Sequence, residues 1–265
     1  MKDRERGERA PGGHAVHMGA PRYETLGVGY SRTRQPDPRI ALQIRDALGD
    51  VASIVNVGAG AGSYEPSDCS VVAVEPSPTM IEQRASEAAA VQAVAEDLPF
   101  GDATFDGAMA VLTVHHWHDV IRGLDELRRV SRGPVVVLTW DNAIHTQQWL
   151  IEEYLPTMME LDTRCPTPSE IAAALGGASI RPVPVPADCT DGFCHAWWRR
   201  PDAYLDPDVR AGISGIARLP ADYVGAAMDR LEHDIASGQW RDRHADLLSL
   251  ESHDPGYRLV VAGDP

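Results

Sequence analysis

The chain has 265 residues, of which 43% are hydrophobic and 24% charged, values typical of one large globular domain or two small ones. This composition excludes a fully disordered chain and a collagen-like repeat. Acidic residues outnumber basic ones by 39 to 24, and the net charge of −15 opposes nucleic acid and anionic membrane as partners, because both attract Lys and Arg. The aliphatic runs, such as Val135 to Leu138, are far shorter than the roughly 20 residues that a membrane span requires.

The first 22 residues are charged and lack an apolar segment of the kind found in secretory signals. They are interpreted as a flexible arm, and the protein is expected to be cytoplasmic. The four cysteines, Cys69, Cys165, Cys189 and Cys194, are too few and too scattered for a disulfide framework. No metal site is expected.

The first regular elements follow residue 36. Asp37 and Pro38 predict a helix through Leu48, with Asp37 as its cap, Pro38 at its first position and Gly49 as its stop. The β-branched run Val51 to Val57 then predicts the first strand.

Strands and helices are expected to alternate up to Asp141. Further strands are predicted at Val71–Val74, Val91–Val94, Phe105–Val111 and Val135–Trp140, and helices from Pro78, capped by Ser77, and over Val120–Val130. Apolar strands separated by helices favour a mostly parallel sheet covered on both faces, which is a doubly wound, Rossmann-like α/β fold.

The pattern changes after Asp141. Helices are predicted near Gln147–Leu155 and Ser169–Leu175, a strand over Ile180–Val185, two helical segments from Ala221, and a last strand over Tyr257–Val261. Residues 186–256 lie between the last two strands and are interpreted as a cap inserted into a single domain that spans 23–265, with a core over 36–141.

A glycine-rich loop follows the first predicted strand. The run Gly58-Ala59-Gly60-Ala61-Gly62-Ser63 would let the backbone approach a ligand with its amides directed at it. A dinucleotide fingerprint needs a glycine at position 63 or 65, and these are Ser63 and Glu65. The G-x-G-x-G spacing therefore argues against a nicotinamide oxidoreductase.

Two acidic residues at strand ends complete a candidate nucleoside site. Glu75 ends the second predicted strand, where its carboxylate can accept from both hydroxyls of a ribose. Asp97 follows the third, where it can accept from the amino group of adenine. Glu75 could instead be a surface turn residue.

These motifs together resemble one family. Val57 to Gly62, Val74 to Ser77, Ala95 to Phe100 and Phe105-Asp106 are similar to the class I S-adenosylmethionine-dependent methyltransferases of the ubiquinone and menaquinone biosynthesis branch. The resemblance covers roughly residues 23–141, and the last strands resemble the antiparallel hairpin that closes that fold. It implies that Gly58, Gly60 and Gly62 hold the methionine moiety, Glu75 the ribose and Asp97 the adenine.

The resemblance also implies roles for residues beyond the glycine loop. Tyr30 would pack near the sulfonium, and Arg34 could reach the methionine carboxylate or be an ordinary surface charge. Asn56 departs from the pattern, since many relatives carry an acid there, and a contact with the cofactor ammonium would lose its charge assistance.

A histidine cluster follows the fourth predicted strand. In the run Leu112 to His118, His115 or His116 is interpreted as a general base or as part of the active-site wall, although such a cluster could simply cap a helix or hydrogen-bond within the loop. Candidates for the acceptor pocket are Trp117, Trp140, His195 and Trp197. His195 is also a second candidate for the base, and packing in the core is the favoured interpretation of Trp197.

The function implied is methyl transfer from S-adenosylmethionine to a small-molecule acceptor at oxygen, nitrogen or carbon, with S-adenosylhomocysteine as product. The acceptor would attack in line at the sulfonium methyl. The alternative is a protein of the same fold that binds the cofactor or its product and catalyses elimination or ring closure, or that acts as a non-catalytic partner subunit. The oligomeric state is left open.

Overall fold

A computed structural model describes residues 34–86, 88–161 and 165–263. Among these, nine strands are β1 Ser53–Val57, β2 Ser70–Val74, β3 Ala89–Val91, β4 Gly107–Val111, β5 Val135–Trp140, β6 Ser179–Pro182, β7 Val185–Pro186, β8 Ser252–His253 and β9 Tyr257–Ala262. The arm expected at 1–22 and Tyr30 lie outside the described residues.

One sheet has the strand order β3-β2-β1-β4-β5-β9-β6. The strands from β3 to β5 are parallel to one another, and β9 is antiparallel to both β5 and β6. This topology confirms the predicted doubly wound α/β fold with an antiparallel last strand.

The described α-helices are α1 Pro38–Leu48, α2 Pro78–Glu82, α3 Val120–Val130, α4 Asn142–His145, α5 Met158–Leu161, α6 Pro168–Ala174, α7 Pro207–Ala211, α8 Ser214–Ala217, α9 Ala221–Ser237 and α10 Gln239–Arg243. Short 3₁₀ segments lie at Val114–His116, Pro201–Leu205 and Leu247–Ser249, and a π-helical turn at Leu150–Tyr154.

Helices cover both faces of the sheet. All six residues of β5 are buried, and they alternate between two apolar clusters. Val136 and Leu138 pack on the side that also buries Ile44 of α1, whereas Val135 and Val137 pack on the side of α3. A strand that reads as an unbroken apolar run is therefore buried on both faces, as a parallel sheet requires.

The helix caps have the predicted chemistry. The Asp37 side chain accepts a hydrogen bond from the Arg39 amide, Pro38 is the first helical residue of α1, and Gly49 follows its end with a φ of 66°. Ser77 caps α2 in the same way, by accepting from the Met80 amide. A side-chain acceptor at each N-terminus satisfies one otherwise unpaired amide.

Some element bounds differ from the prediction. The third strand lies at Ala89–Val91 instead of Val91–Val94, and Val94 is 47% exposed. The segment predicted as one strand over Ile180–Val185 is divided, because β6 ends at Pro182 and β7 pairs with β8 in a separate two-stranded sheet. Pro182 and Pro184 have no amide hydrogen to donate, which favours a break in the ladder.

A third apolar cluster forms the core of the helical layer beside the sheet. It joins Trp149, Leu150 and Tyr154 to Tyr204 and Leu231. This layer therefore draws on residues before β6 as well as on 186–256. By contrast, the stretch from Val183 to Trp198 contributes to the core of the sheet, and it also contacts the third cluster.

Within the described parts of the chain, we find no helix with both the length and the apolar character needed to cross a membrane.

Candidate functional site

The glycine loop follows β1 and packs against the loop that follows β4. Gly58, Gly60 and Gly62 have φ values of 69°, 52° and 94°, a region that side chains other than glycine rarely adopt. A Cβ added to Gly58 would lie 2.0 Å from Oγ1 of Thr113. The loop carrying Thr113 is therefore packed directly against the glycine loop.

Glu75 follows β2 and supports the same loop. Its carboxylate is buried, Oε2 accepts from the Gly60 amide at 2.8 Å, and Oε1 accepts from the Ser77 amide at 3.0 Å. Burial raises the pKa of this carboxyl, and the two amide bonds only partly oppose the effect. Each oxygen keeps a second lone pair, so the group can also accept from ligand hydroxyls.

A polar cluster lies beside the glycine loop. Asn56 Nδ2 donates to Glu65 Oε1 at 3.0 Å, and Glu65 forms a shielded ion pair with Arg84 at 2.7 Å. The Asn56 Oδ1 atom is buried and accepts no hydrogen bond from any residue the structure describes. A buried acceptor of this kind fits a ligand that brings its own donor, such as an ammonium group.

The acidic pair after β3 has divided roles. Asp97 is exposed in the turn that follows the strand. Glu96 holds the segment before α3, because its Oε1 accepts from the amides of His118 and Asp119 at 2.6 and 3.0 Å, while Asp119 itself caps the helix. The adenine role of Asp97 stays a prediction.

A cavity of about 70 Å³ lies at the carboxyl ends of β4 and β5. Its polar and aromatic lining includes Arg34, His115, His116, Trp140, His145 and Tyr257. Ligands of open α/β sheets bind at this edge, so the position fits an acceptor site next to the glycine loop.

His115 lies in the wall of this cavity. Its ring is 3.8 Å from that of His116 and 4.4 Å from that of Trp140, centroid to centroid. Burial lowers the pKa of His115 well below its usual value, and the nearby charges of His116 and Arg218 lower it further. Its Nδ1 is shielded and has no partner among the described residues, and the lowered pKa keeps the imidazole neutral.

Arg34 lines the cavity but is already held by Asp191. The guanidinium and carboxylate pair through two contacts of 2.7 and 3.3 Å, and the Asp191 side chain is inaccessible to solvent. A ligand carboxylate would therefore share this guanidinium with Asp191.

Three residues expected in the acceptor pocket do not line this cavity. Trp117 packs over Gly123, where an added Cβ would lie 2.5 Å from its ring. His195 is buried behind His145, and Trp197 stacks under the guanidinium of Arg200 at 4.2 Å. Of the four expected pocket residues, Trp140 is the one placed in the wall.

His145, Asp191 and Tyr257 belong to the site region without having been singled out from the sequence. Each comes from a segment remote from the glycine loop, and no local spacing marks it. The tertiary fold alone brings these residues together.

A doubly wound sheet with a glycine loop, a buried acid after β2 and a cavity at the same edge defines a nucleoside-binding α/β enzyme. Residues 55–136 match the family model described as a methyltransferase domain. A crystal structure from Anabaena variabilis, described as a methyltransferase from an antibiotic biosynthesis pathway, is 30% identical with a TM-score of 0.82, over 88% of this chain and 99% of that one.

Two further proteins are similar over a smaller share or in fold alone. The 2-methyl-6-phytyl-1,4-hydroquinone methyltransferase 2 of rice chloroplasts is 30% identical over 141 residues, which are 43% of this chain and 40% of the rice protein. The chain thus spans about two fifths of the length of this curated relative. The cyclase SpnF shares the fold at 12% identity, with a TM-score of 0.52 over 93% of this chain and 95% of that one.

The chain belongs to the S-adenosylmethionine-dependent methyltransferases. The residues present fit that cofactor. Glu75 keeps free lone pairs for ligand hydroxyls, and the unpartnered Oδ1 of Asn56 suits an ammonium group.

Proposed function

We propose that this protein transfers a methyl group from S-adenosylmethionine to a small organic acceptor, at oxygen, nitrogen or carbon, whose reactive group enters the cavity beside His115. One observation carries the proposal. Thr113 packs on Gly58, so the segment bearing His115 and His116 is in direct contact with the cofactor loop. The cofactor loop and the acceptor cavity are thereby adjacent parts of one site.

The cofactor would be held by the residues that the resemblance assigns. Gly58, Gly60 and Gly62 would take the methionine end, Glu75 the ribose, and Asp97 the adenine. Tyr30 and Arg34 would complete the site from the N-terminal side, and Arg34 would do so while it keeps its ion pair with Asp191. When bound, S-adenosylmethionine supplies a methyl group that its positive sulfur has already activated.

The protein would contribute position, exclusion of water and a base. Alignment of an acceptor can supply up to about 7–11 kcal/mol of the barrier, so no nucleophilic side chain is required. His115 is neutral at physiological pH and would take the proton of an acceptor that has to lose one. His116 touches His115 and is the second candidate for this role.

Several features of the protein and its relatives favour a small organic acceptor. The rings of Trp140, Phe193 and Tyr257 give the cavity aromatic walls suited to a flat molecule. The rice relative acts on a hydroquinone, and the Anabaena relative is described as part of an antibiotic pathway. The net charge of −15 opposes a nucleic acid substrate, and the absence of any disulfide among the four cysteines suits a reducing compartment such as the cytoplasm.

Calorimetric titration of the purified protein with S-adenosylmethionine, S-adenosylhomocysteine and NAD tests the cofactor site. We expect micromolar binding of the first two and none of NAD. Incubation of methyl-labelled cofactor with a panel of phenols, amines and enolisable carbonyl compounds then tests transfer, and cofactor consumed should equal methylated product. Product formation with unchanged cofactor would overturn methyl transfer in favour of elimination or ring closure.

A further inference from the structure

Three residues outside the cofactor loop form a compact cluster of potential metal ligands. They are His145 at the end of α4, and Cys194 and His195 in the segment after β7. One ring nitrogen from each histidine and the Cys194 sulfur all lie within 4.8 Å of one another. The sequence separation of about fifty residues between the two histidines hides this cluster from motif analysis.

The histidine pair has the surroundings expected of metal ligands. His195 Nε2 is 3.1 Å from the carbonyl oxygen of His145. A metal-bound histidine commonly donates its outer N–H to a backbone carbonyl, which leaves the other nitrogen deprotonated for the ion. The His195 ring therefore has Nδ1 available, provided that Nε2 carries the proton.

His145 has a complementary feature. Its ring is buried, and its Nδ1 has no hydrogen-bond partner in the described parts of the chain. A buried nitrogen without a partner is costly in a folded protein, and a metal ion would remove that cost.

The backbone around the cluster is well fixed. The Tyr204 hydroxyl donates to the Cys194 carbonyl at 2.7 Å, and the two histidine rings contact each other with centroids 4.2 Å apart. A tetrahedral ion with bonds of about 2.0–2.3 Å needs its ligand atoms about 3.3–3.8 Å apart. The three ligand atoms are now up to 4.8 Å apart, so shifts of about 1 Å, made by turning the side chains, would bring them into that range.

We propose that His145, Cys194 and His195 bind one borderline transition-metal ion, with Zn²⁺ as the reference ion. Two imidazoles and a thiolate are a ligand set that zinc accepts, and three protein ligands leave one coordination position open. His145 and Cys194 also line the cavity that contains His115, so an ion held by them would lie beside the proposed acceptor site. An ion there would bind and polarise an oxygen of the acceptor. The metal site itself does not depend on the proposed methyl transfer.

The test uses the untagged full-length protein after removal of metals with a chelator. Zn²⁺ is titrated in competition with a chromogenic chelator, and Co²⁺ is then added as a spectroscopic probe. We expect one equivalent of Zn²⁺ per chain and a thiolate-to-Co²⁺ charge-transfer band. Cys194→Ser should abolish the band, and both Cys194→Ser and His145→Gln should weaken Zn²⁺ binding at least tenfold.

Cys69→Ser is the control, since Cys69 precedes β2 and is not part of the cluster. It should bind both ions like the unaltered chain. Circular dichroism of each variant checks that the fold is kept, and Cys194→Ser replaces only a sulfur atom. Failure of the unaltered chain to retain one equivalent of Zn²⁺, or equal affinities for it and Cys194→Ser, would overturn the site. Neither result bears on methyl transfer, which is measured separately.

Discussion

The phenolic hydroxyl of Tyr64 donates a hydrogen bond to the buried carboxylate of Asp191, with 2.8 Å between the two oxygens. Tyr64 stands two residues after the last glycine of the loop and has a φ of 65°, in the left-handed region. Asp191 also pairs with Arg34 and accepts from the Gly192 amide. This carboxylate therefore connects the glycine loop, the chain before α1 and the wall of the cavity.

Replacement of Asp191 by Asn should be strongly destabilising. It removes the negative charge but keeps the shape, and it leaves the Arg34 guanidinium in a site where its side chain is only 9% exposed. Loss of one partner of a buried ion pair costs about 3–5 kcal/mol, and we expect the free energy of unfolding in urea to fall by that amount.

Asp188→Asn is the matched control for this prediction. Asp188 pairs with Arg39, but its side chain is 81% exposed, so its replacement should leave the free energy of unfolding almost unchanged. Equal losses for the two variants would contradict the structural role given to Asp191.

Gly58→Ala should disrupt the cofactor loop. The added methyl group meets Thr113 and also requires a left-handed backbone for alanine, with an expected cost of at least about 1–3 kcal/mol. Binding of S-adenosylhomocysteine should be lost in calorimetry. Gly225→Ala, in the exposed face of α9 with open space around it, should instead stabilise the protein by about 0.5–1 kcal/mol. A stable Gly58→Ala variant with normal binding would refute the close approach at this loop.

The elements with clear local signals were predicted with correct bounds. α1 has an acidic cap, a proline at its first position and a terminal glycine, and β5 follows Gly133-Pro134 as a continuous apolar run. β3 was misplaced by two to three residues, since its alanine-rich sequence carries little strand preference and Val94 gave a misleading apolar signal.

The cofactor loop could be predicted from the sequence, whereas the cavity could not. Gly58, Gly60 and Gly62 lie within one turn, so their spacing in the sequence reports their arrangement directly. The contacts of Asp191 with Tyr64 and Arg34 span 127 and 157 residues. Such contacts depend on how the layers pack, which no local pattern encodes.

Glu75→Gln tests the ribose assignment. The amide replaces one carboxylate oxygen by a donor, which must face either an amide donor of the loop or a ligand hydroxyl. Hydrogen bonds to a charged group contribute about 1.5–3 kcal/mol, so the dissociation constant for S-adenosylhomocysteine should rise roughly tenfold or more. Glu82→Gln, on the exposed end of α2, should leave it unchanged. An unaltered constant in Glu75→Gln would show that this carboxylate does not hold the ribose.

The depressed pKa of His115 also predicts a pH dependence of stability. Burial of its ring is the largest cause, and the nearby His116, Arg218 and Arg34 further disfavour a positive charge on it. The unfolded chain takes up that proton near the usual pKa of about 6.5, whereas the folded chain does not until a much lower pH. The stability associated with a neutral His115 is therefore fully present above pH 6.5 and is lost as the pH falls below it.

His115→Gln removes this contribution. Urea unfolding at pH 7.5, 6.5 and 5.5 should show a shallower loss of stability for the variant, by up to about 1.4 kcal/mol per pH unit below 6.5. His118→Gln is the control, because His118 is exposed and should keep the steeper slope. His115→Gln also tests the proposed base. Its kcat should fall for acceptors that release a proton and stay unchanged for those that do not. Parallel stability curves for the unaltered chain and His115→Gln would mean that His115 titrates alike in the folded and unfolded states, and the burial of a neutral His115 ring would then be refuted.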